Sequence, residues 1–354
     1  MSSSPINFLS VCSGIEAASM AWEPLGWKAC AFAEIEKFPS AVLAHHWPET
    51  PNLGDMKKHN DWPTKLAPNL IVGGTPCQAF SVAGLRKGLA DPRGNLTLVF
   101  LGILAQFRPR WVVWENVPGV LSDKTGAFGA FIGGLGELGY GFAYRVLDAQ
   151  HFGVPQRRRR VFVVGCLGDW KRAAAVLFEP ESLRGDSPPS REAREGTPDN
   201  IAKCLKGNNE GIEDAIPIHD KTTRHAGATG KGSGNGLGVG KPGDPCPTLT
   251  AGDKHAVAFG ISDNPHIGHC LRSGASKADK PDSTTYVATT AVRRLTPTEC
   301  ERLQGFPDDH TLIPWRGKAA ENCPDGPRYK ALGNSMAVPV MRWIGERISK
   351  LNKI

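Results

Sequence analysis

What this chain lacks narrows it first. Its 354 residues include nine cysteines, at 12, 30, 77, 166, 204, 246, 270, 300 and 323, and no two form a Cys-x-x-Cys pair. An odd, scattered set argues against zinc-ligand spacing and against a disulfide framework, and reads as free thiols in a reducing compartment. No metal is expected. No apolar run approaches the roughly 20 residues of a membrane span. The start Met1-Ser2-Ser3-Ser4-Pro5 has neither the charged nor the apolar part of an export signal. The expectation is a cytoplasmic protein with no membrane partner. Acidic residues are too few to balance the basic ones. The resulting net charge of +7 suits a polyanionic partner without naming one.

What is present is organised around Gly73-Gly74-Thr75-Pro76-Cys77-Gln78-Ala79-Phe80-Ser81. Leu70-Ile71-Val72 before it reads as a buried strand end. Two glycines permit a tight turn, and Pro76 fixes its own φ and biases Thr75 away from helix. The turn therefore holds Cys77 just past a strand, where open α/β sheets place their sites. A thiol there is a nucleophile if a base or a lowered pKa activates it, and otherwise a buried structural cysteine. Trp111-Val112-Val113-Trp114 is a second strand candidate, followed directly by Glu115-Asn116-Val117-Pro118-Gly119. A carboxylate at the end of a neighbouring strand can lie near Cys77 and exchange protons with a ring.

Ile6 to Val11 reads as the first strand, Cys12-Ser13-Gly14-Ile15-Glu16 as a turn, and Ala17 to Trp22 as a helix, the opening of a nucleotide-binding βαβ unit. Cys30 to Ala33 is the next strand and ends in Glu34-Ile35-Glu36. An acidic residue about 20 positions after the turn can accept from ribose hydroxyls. Position favours Glu34 for this, with Glu36 solvated. Asp55 either caps a helix or accepts from an adenine amino group. The Gly-rich basic stretch Ser81 to Gly94 has no helix or strand period and reads as a lid or as a solvated connection. Helices are expected over Leu96 to Phe107 and Phe131 to Leu138, and a strand over Arg145 to Leu147.

Gln156-Arg157-Arg158-Arg159-Arg160 then runs into the apolar strand Val161 to Gly165. Strand side chains alternate, so Arg158 and Arg160 share one face and Arg157 and Arg159 the other. From about Leu183 the chain is polar and glycine-rich, with ordered islands at Pro247 to Gly252 and Ala256 to Phe259. Thr296 caps a helix that has Pro297 first and Glu299 three residues on, and Gly305 stops it. Tyr329 to Pro339 leads into a final helix, Val340 to Leu351, whose Val340, Ile344 and Ile348 share the packing face.

Pro-Cys-Gln at Cys77, Glu-Asn-Val at Glu115, Gln-x-Arg-x-Arg ending at Arg160, Leu-Thr-x-x-Glu…Gln-Gly-Phe-Pro at 295–307 and Gly-Asn-Ser at 333–335 occur in this order. Together they resemble the DNA (cytosine-5) methyltransferases of bacterial and phage type, over nearly the whole chain outside 171–291. The resemblance implies an α/β, Rossmann-like S-adenosylmethionine-dependent methyltransferase domain with a small, loop-rich target-recognition domain. The expected division is 1–170 for the catalytic domain, 171–324 for recognition and its support, and 325–354 for the returning C-terminal segment.

By the same resemblance Cys77 adds to C6 of a flipped cytosine, Glu115 bonds N3 and the exocyclic amine, Arg160 contacts the base O2, and Arg158 supports it. S-adenosyl-L-methionine falls to Cys12, Gly14, Ile15, Glu34, Ile35, Asp55, Met56, Pro76, Leu96, Asn334 and Ser335. Double-stranded DNA falls to Gln78, Ser81, Arg93, Thr248 and Leu249. A monomer is implied, and a cognate restriction endonuclease is compatible. The first motif departs from the family's Asp-Leu-Phe-x-Gly-x-Gly-Gly: Cys12 stands for the Phe, and Glu16 and Ala17 for two glycines. That departure supports a competing expectation, a DNA-binding homologue that has lost catalysis. An RNA methyltransferase is a third.

Strand alternation yields a direct prediction. Arg160→Ala is expected to lose far more turnover than Arg159→Ala in a methyl-transfer assay, and equal losses would remove the argument.

Overall fold

The computed structural model describes residues 5–76, 96–179, 216–218, 245–246, 256–260 and 290–352. A six-stranded sheet carries the architecture. Its strands are β1 (Asn7–Val11), β2 (Lys28–Ala33), β3 (Leu70–Gly73), β4 (Trp111–Asn116), β5 (Tyr140–Asp148) and β6 (Arg159–Leu167), in the spatial order β2-β1-β3-β4-β6-β5. β2, β1, β3 and β4 run parallel, and β6 pairs antiparallel with both β4 and β5. The chain leaves β1 toward β2 and comes back to place β3 on its other side. The carboxyl ends of β1 and β3 thus flank a topological switch point, where such sheets bind ligands.

The central strands β3 and β4 are buried on both sides, as strands covered by helices on both faces must be, while the edge strand β5 leaves Tyr144 exposed. Phe8, Leu70, Val72, Trp111, Val113, Phe162 and Val164 face one core, and Leu9, Val11, Ile71, Val112, Trp114, Val161 and Val163 the other. The first core is covered by α1 (Ala17–Trp22) and by α8 (Val338–Asn352), whose Val340, Ile344 and Ile348 are buried as the pattern requires. Trp22 Nε1 donates to Met341 O at 2.7 Å. Gly345 makes this approach possible, because a Cβ there would lie 2.5 Å from the Trp22 ring. The second core lies under α3 (Leu96–Phe107) and α4 (Ala127–Glu137). The remaining helices are α2 (Lys37–His46), α5 (Trp170–Leu177), α6 (Pro297–Gln304) and α7 (Asp325–Asn334). A separate antiparallel sheet joins β7 (Ile216–Ile218), β8 (Ala256–Gly260) and β9 (Thr290–Arg294).

Most expected elements fall where the pattern puts them, while the pattern sets no expectation for α2, α5, β7 and β9; three more differ in extent or kind. α4 begins four residues before the expected Phe131, because its glycines mask the helical period. One of them, Gly134, is needed there, since a Cβ would meet Leu101 at 2.5 Å. β5 extends from Tyr140 to Asp148 rather than over 145–147, drawn out by its pairing with all of β6. α7 was read only as a lead-in; its first turn contains Gly326 and Pro327, and tertiary packing rather than propensity makes it helical. The expected island at 247–252 and the loop 81–94 lie outside the described residues.

The capping box of α6 is complete: Glu299 N donates to Thr296 Oγ1 at 3.2 Å, and Thr296 N to Glu299 Oε2 at 2.7 Å. One turn on, Glu301 is fully buried. Its Oε1 accepts from Thr311 N (2.8 Å), the Thr311 hydroxyl and Arg328 NH2 (3.2 Å), and its Oε2 from Asp309 N (2.7 Å). Arg328 Nε also donates to Thr311 Oγ1 at 2.9 Å. This buried anion ties α6, the segment after it and α7 together. A buried charge is tolerated only when paired and hydrogen-bonded like this. Removing Glu301 leaves the buried Arg328 with only the longer pairs to the exposed Asp309 (3.8 Å) and Asp325 (3.9 Å), and breaking a buried pair costs about 3–5 kcal/mol. Glu301→Gln should therefore lower the unfolding free energy by about that much in urea titrations.

Candidate active site

Three parallel strands end on the same edge of the sheet, and each delivers a candidate group there. β3 runs through Gly73 into Gly74-Thr75-Pro76. β4 ends in Glu115 and Asn116, and β2 leads into Glu34. The antiparallel β6 starts on this edge, with Asn116 opposite Val161 and Glu115 opposite Phe162. That register puts Arg160 beside the end of β4.

Arg160 Nε lies 3.0 Å from Glu115 Oε1. Both side chains are largely buried, and burial holds the Glu115 carboxyl above the usual carboxylate range, opposed in part by Arg160 and Arg158. Glu115 is thus inclined to keep a proton that it can share. Gly74 leaves room for it: a Cβ at 74 would stand 3.0 Å from Glu115 Oε2 and 3.1 Å from Met336 Cε. The arginines alternate as expected. Arg157 and Arg159 are exposed, Arg158 is buried and Arg160 is half-buried.

Arg158 points away from the open edge. Its guanidinium donates to Ser335 O at 2.5 Å and Gly333 O at 3.2 Å, and its backbone N–H donates to Asp148 Oδ1 at 2.9 Å. Burial and the neighbouring Arg160 pull its pKa down to about 9. The residue acts as a brace that joins the β6 strand to the Gly-Asn-Ser segment.

Thr75 anchors the chain just before Cys77. Its hydroxyl accepts from Trp114 Nε1 at 2.9 Å and pairs with Thr97 Oγ1 at 3.2 Å, and its carbonyl accepts from Asn116 Nδ2 at 3.0 Å. Thr75 and Thr97 are both buried. Residues 75 and 97, on either side of the stretch 77–95, are therefore fixed to one another and to β4. Sequence reasoning missed Thr75, Thr97 and Trp114: a tryptophan in an apolar run reads as core, and its indole donor shows only once its partner is known. Cys77, Gln78, Ser81, Arg93, Thr248 and Leu249 lie outside the described residues. Cys246, two positions before Thr248, is hydrogen-bonded to the stretch leading into Arg158: Cys246 N to Pro155 O and Arg157 N to Cys246 O, both 2.8 Å.

The cofactor candidates gather at the ends of β1 and β2. Gly14 N donates to Glu34 Oε2 at 2.8 Å, and Glu36 N to Glu34 Oε1 at 2.7 Å. Each carboxylate oxygen keeps a further lone pair for a hydroxyl. Cys12 adopts φ 51° and its thiol lies 3.4 Å from Met56 Sδ. Burial, with Glu34 and Asp55 nearby, pushes this thiol up to about 12, so it is inert at neutral pH. Asp55 does cap: Oδ1 accepts from Lys57 N at 3.0 Å at the start of a short 3-10 helix. Ile35 is 68% exposed, an apolar surface beside Glu34 that suits a planar ring. Glu36 is exposed, as expected, and pairs with Lys330 at 2.8 Å. Leu96 opens α3, Pro76 and Asn334 are exposed and Ser335 is buried. The set fits a nucleoside-bearing cofactor: a carboxylate for hydroxyls, an apolar shelf and a turn of backbone N–H groups.

The model of the C-5 cytosine-specific DNA methylase family matches residues 6–350. The chain belongs to that family. Members use S-adenosyl-L-methionine. A DNA N-6-adenine-methyltransferase of Escherichia phage P1 is 39% identical over 96% of this chain and 61% of its own length, so the chain spans about three fifths of that relative. The Type II methyltransferase M.HhaI of Haemophilus parahaemolyticus is 28% identical over 98% of this chain and 95% of its own. Among solved structures, a mutant of Spodoptera frugiperda DNMT2 superposes with a TM-score of 0.61 at 19% identity, covering 97% of this chain and 99% of that one. The likeness establishes the α/β fold, which in this family is that of an S-adenosylmethionine-dependent methyltransferase domain. No helix among the described residues is long and apolar enough to cross a membrane.

Thr75→Val keeps the shape of the side chain and leaves the buried Trp114 indole N–H unpaired, which costs about 1–3 kcal/mol. In this family member the expected result is a lower melting temperature together with a loss of turnover larger than that of Thr97→Ser, which keeps a hydroxyl at the neighbouring position.

Proposed function

We propose that this protein transfers a methyl group from S-adenosyl-L-methionine to C5 of a cytosine flipped out of double-stranded DNA, through a covalent adduct between Cys77 and C6. The observation that carries the reading is the buried Glu115, inclined to hold a proton and clamped by Arg160, beside the strand end that leads into Cys77. C5 of cytosine is a weak nucleophile inside an aromatic ring. Bond formation from the Cys77 sulfur to C6, with a proton passed from Glu115 to N3, makes C5 enamine-like. The cofactor supplies an electrophilic methyl on a sulfonium. Transfer of the methyl to C5 would leave the cofactor as a neutral thioether; a base then takes the C5 proton, the S–C6 bond breaks and returns the thiolate, and N3 gives its proton back to Glu115, splitting one hard step into easier ones. Arg160 holds Glu115, and in this reading its guanidinium meets the base O2. Arg158 keeps the β6 strand in register with the C-terminal segment.

Duplex DNA hides the ring faces, so the base must leave the stack at a cost of a few kcal/mol, which contacts in the pocket offset. The net charge of +7 and the exposed Arg157 and Arg159 favour a phosphate backbone. The division into 1–170, 171–324 and 325–354, a monomeric state, a cytoplasmic location and a cognate endonuclease complete the proposal.

The name of the phage P1 relative raises a second reading, methylation of adenine at N6. That relative extends well beyond its match to this chain, and its named activity can reside there. Methylation of an amino nitrogen needs neither thiol addition nor a protonated Glu115.

Labelled S-adenosylmethionine, duplex DNA and Cys77→Ser alongside wild type test the choice. Digestion of the product should yield label in 5-methylcytosine, confined to one short sequence context by bisulfite sequencing and absent with Cys77→Ser. Label in N6-methyladenine would replace the proposal with the second reading. No label and no cofactor binding would leave a DNA-binding homologue.

A further inference from the structure

The turn Gly14–Glu16 is where this chain departs from the family pattern, and here side chains hold it. Glu16 sits at φ 66°, ψ 63°, a left-handed conformation in which glycine is at ease and other residues are strained. Its carboxylate folds back onto α1, where Oε1 accepts from Ser19 N at 3.0 Å and from Ser19 Oγ at 3.2 Å. Glu16 is fully buried, so this cap is shielded from water. On the other flank of the turn, Gly14 N is held by Glu34, the ribose candidate.

Another polar group of the turn, the Ile15 carbonyl, is held from far along the chain. His310 Nε2 lies 2.9 Å from Ile15 O. A carbonyl only accepts, so this ring nitrogen carries the proton. The His310 ring is 2% exposed and lies between two others, His46 at 4.3 Å and 6° and Phe306 at 4.7 Å and 25°. His46 Nε2 is 2.8 Å from the backbone carbonyl of His310 and donates to it by the same argument. The backbone on either side of His310 is fixed in turn by Glu301, through Asp309 N and Thr311 N. The ring therefore has one place to be, and its donor points at the turn. Ile15 is fully buried, so water cannot take over the bond if the ring is lost.

We propose that His310 is a positioning residue for the cofactor: its bond to the Ile15 carbonyl keeps the Gly14–Glu16 turn in the shape that receives S-adenosylmethionine. In the family pattern, glycines stand at positions 16 and 17 of this turn. In this chain Glu16 braces it from within and His310 from outside. The inference rests on the cofactor assignment made above. It also ties the cofactor edge to the segment that follows α6.

Titration calorimetry of the full chain with S-adenosylmethionine, without DNA, tests this, with the melting temperature of each variant measured in parallel. His310→Phe preserves an aromatic ring in the stack and removes the donor. It should weaken cofactor binding about tenfold, the worth of one buried hydrogen bond. His310→Gln loses the ring but carries an amide N–H of similar reach, and should recover most of the affinity even if its melting temperature falls further. Should His310→Phe fail to fold, His310→Asn, whose amide is too short, replaces it in the comparison. Wild-type affinity in the donor-less variant, or equal losses with Phe and Gln, would overturn the proposal and leave His310 a packing residue. A wild-type chain that binds no S-adenosylmethionine would instead overturn the cofactor assignment beneath it, and the proposal with it.

Discussion

The arrangement depends on the desolvation of one carboxylate. Glu115 is taken out of water at the end of β4 and faces an arginine at 3.0 Å. Burial alone would make the ionised form very costly, and Arg160 alone would drive the carboxyl fully ionised. The balance leaves the carboxyl above its ordinary range while a cation stays in contact. Such a group can give a proton to a ring nitrogen and take it back. The surrounding residues serve this balance. Gly74 supplies the space, Arg158 adds positive potential from behind, and the antiparallel entry of β6 delivers Arg160 to the spot.

A second theme is the anchoring of backbone by buried side chains where the site needs it fixed. Thr75 is gripped by Trp114, Thr97 and Asn116. The Gly333–Ser335 carbonyls are gripped by Arg158, and the 14–16 turn by Glu34, Glu16 and His310. Apart from the half-buried Glu34–Gly14 bond, each grip lies in the protein interior, so breaking it exposes the desolvation cost of the orphaned group. Sites built this way keep their shape before any ligand arrives, which lets binding energy go to the ligand rather than to ordering the protein.

Much of the fold was legible because it is local. Short apolar runs marked β1, β3, β4 and β6, the capping box marked α6, and the spacing of Val340, Ile344 and Ile348 marked α8. α7 escaped notice because a helix held by packing has no strong period of its own, and α4 was read short because its glycines serve close approach to Leu101 rather than propensity. Among the candidate site residues, Gly14, Glu34, Glu115, Arg158 and Arg160 were identified by position beside a strand end, a feature the chain writes locally. Asp55 could be read in two ways, and its cap on Lys57 N accounts for one of them.

By itself, then, the sequence determined the central strands and the strongly periodic or capped helices, which residues can carry chemistry and which of the four arginines share a face. These follow from side-chain periodicity and backbone restriction over a few neighbouring residues. Only the tertiary structure decided which of those residues meet. Arg160 reaches Glu115 because β6 enters the sheet antiparallel to β4, and Arg158 turns away because the C-terminal segment returns behind it. His310 reaches Ile15 across 295 positions of chain. Contacts of that span are set by strand order and packing, which no local pattern encodes.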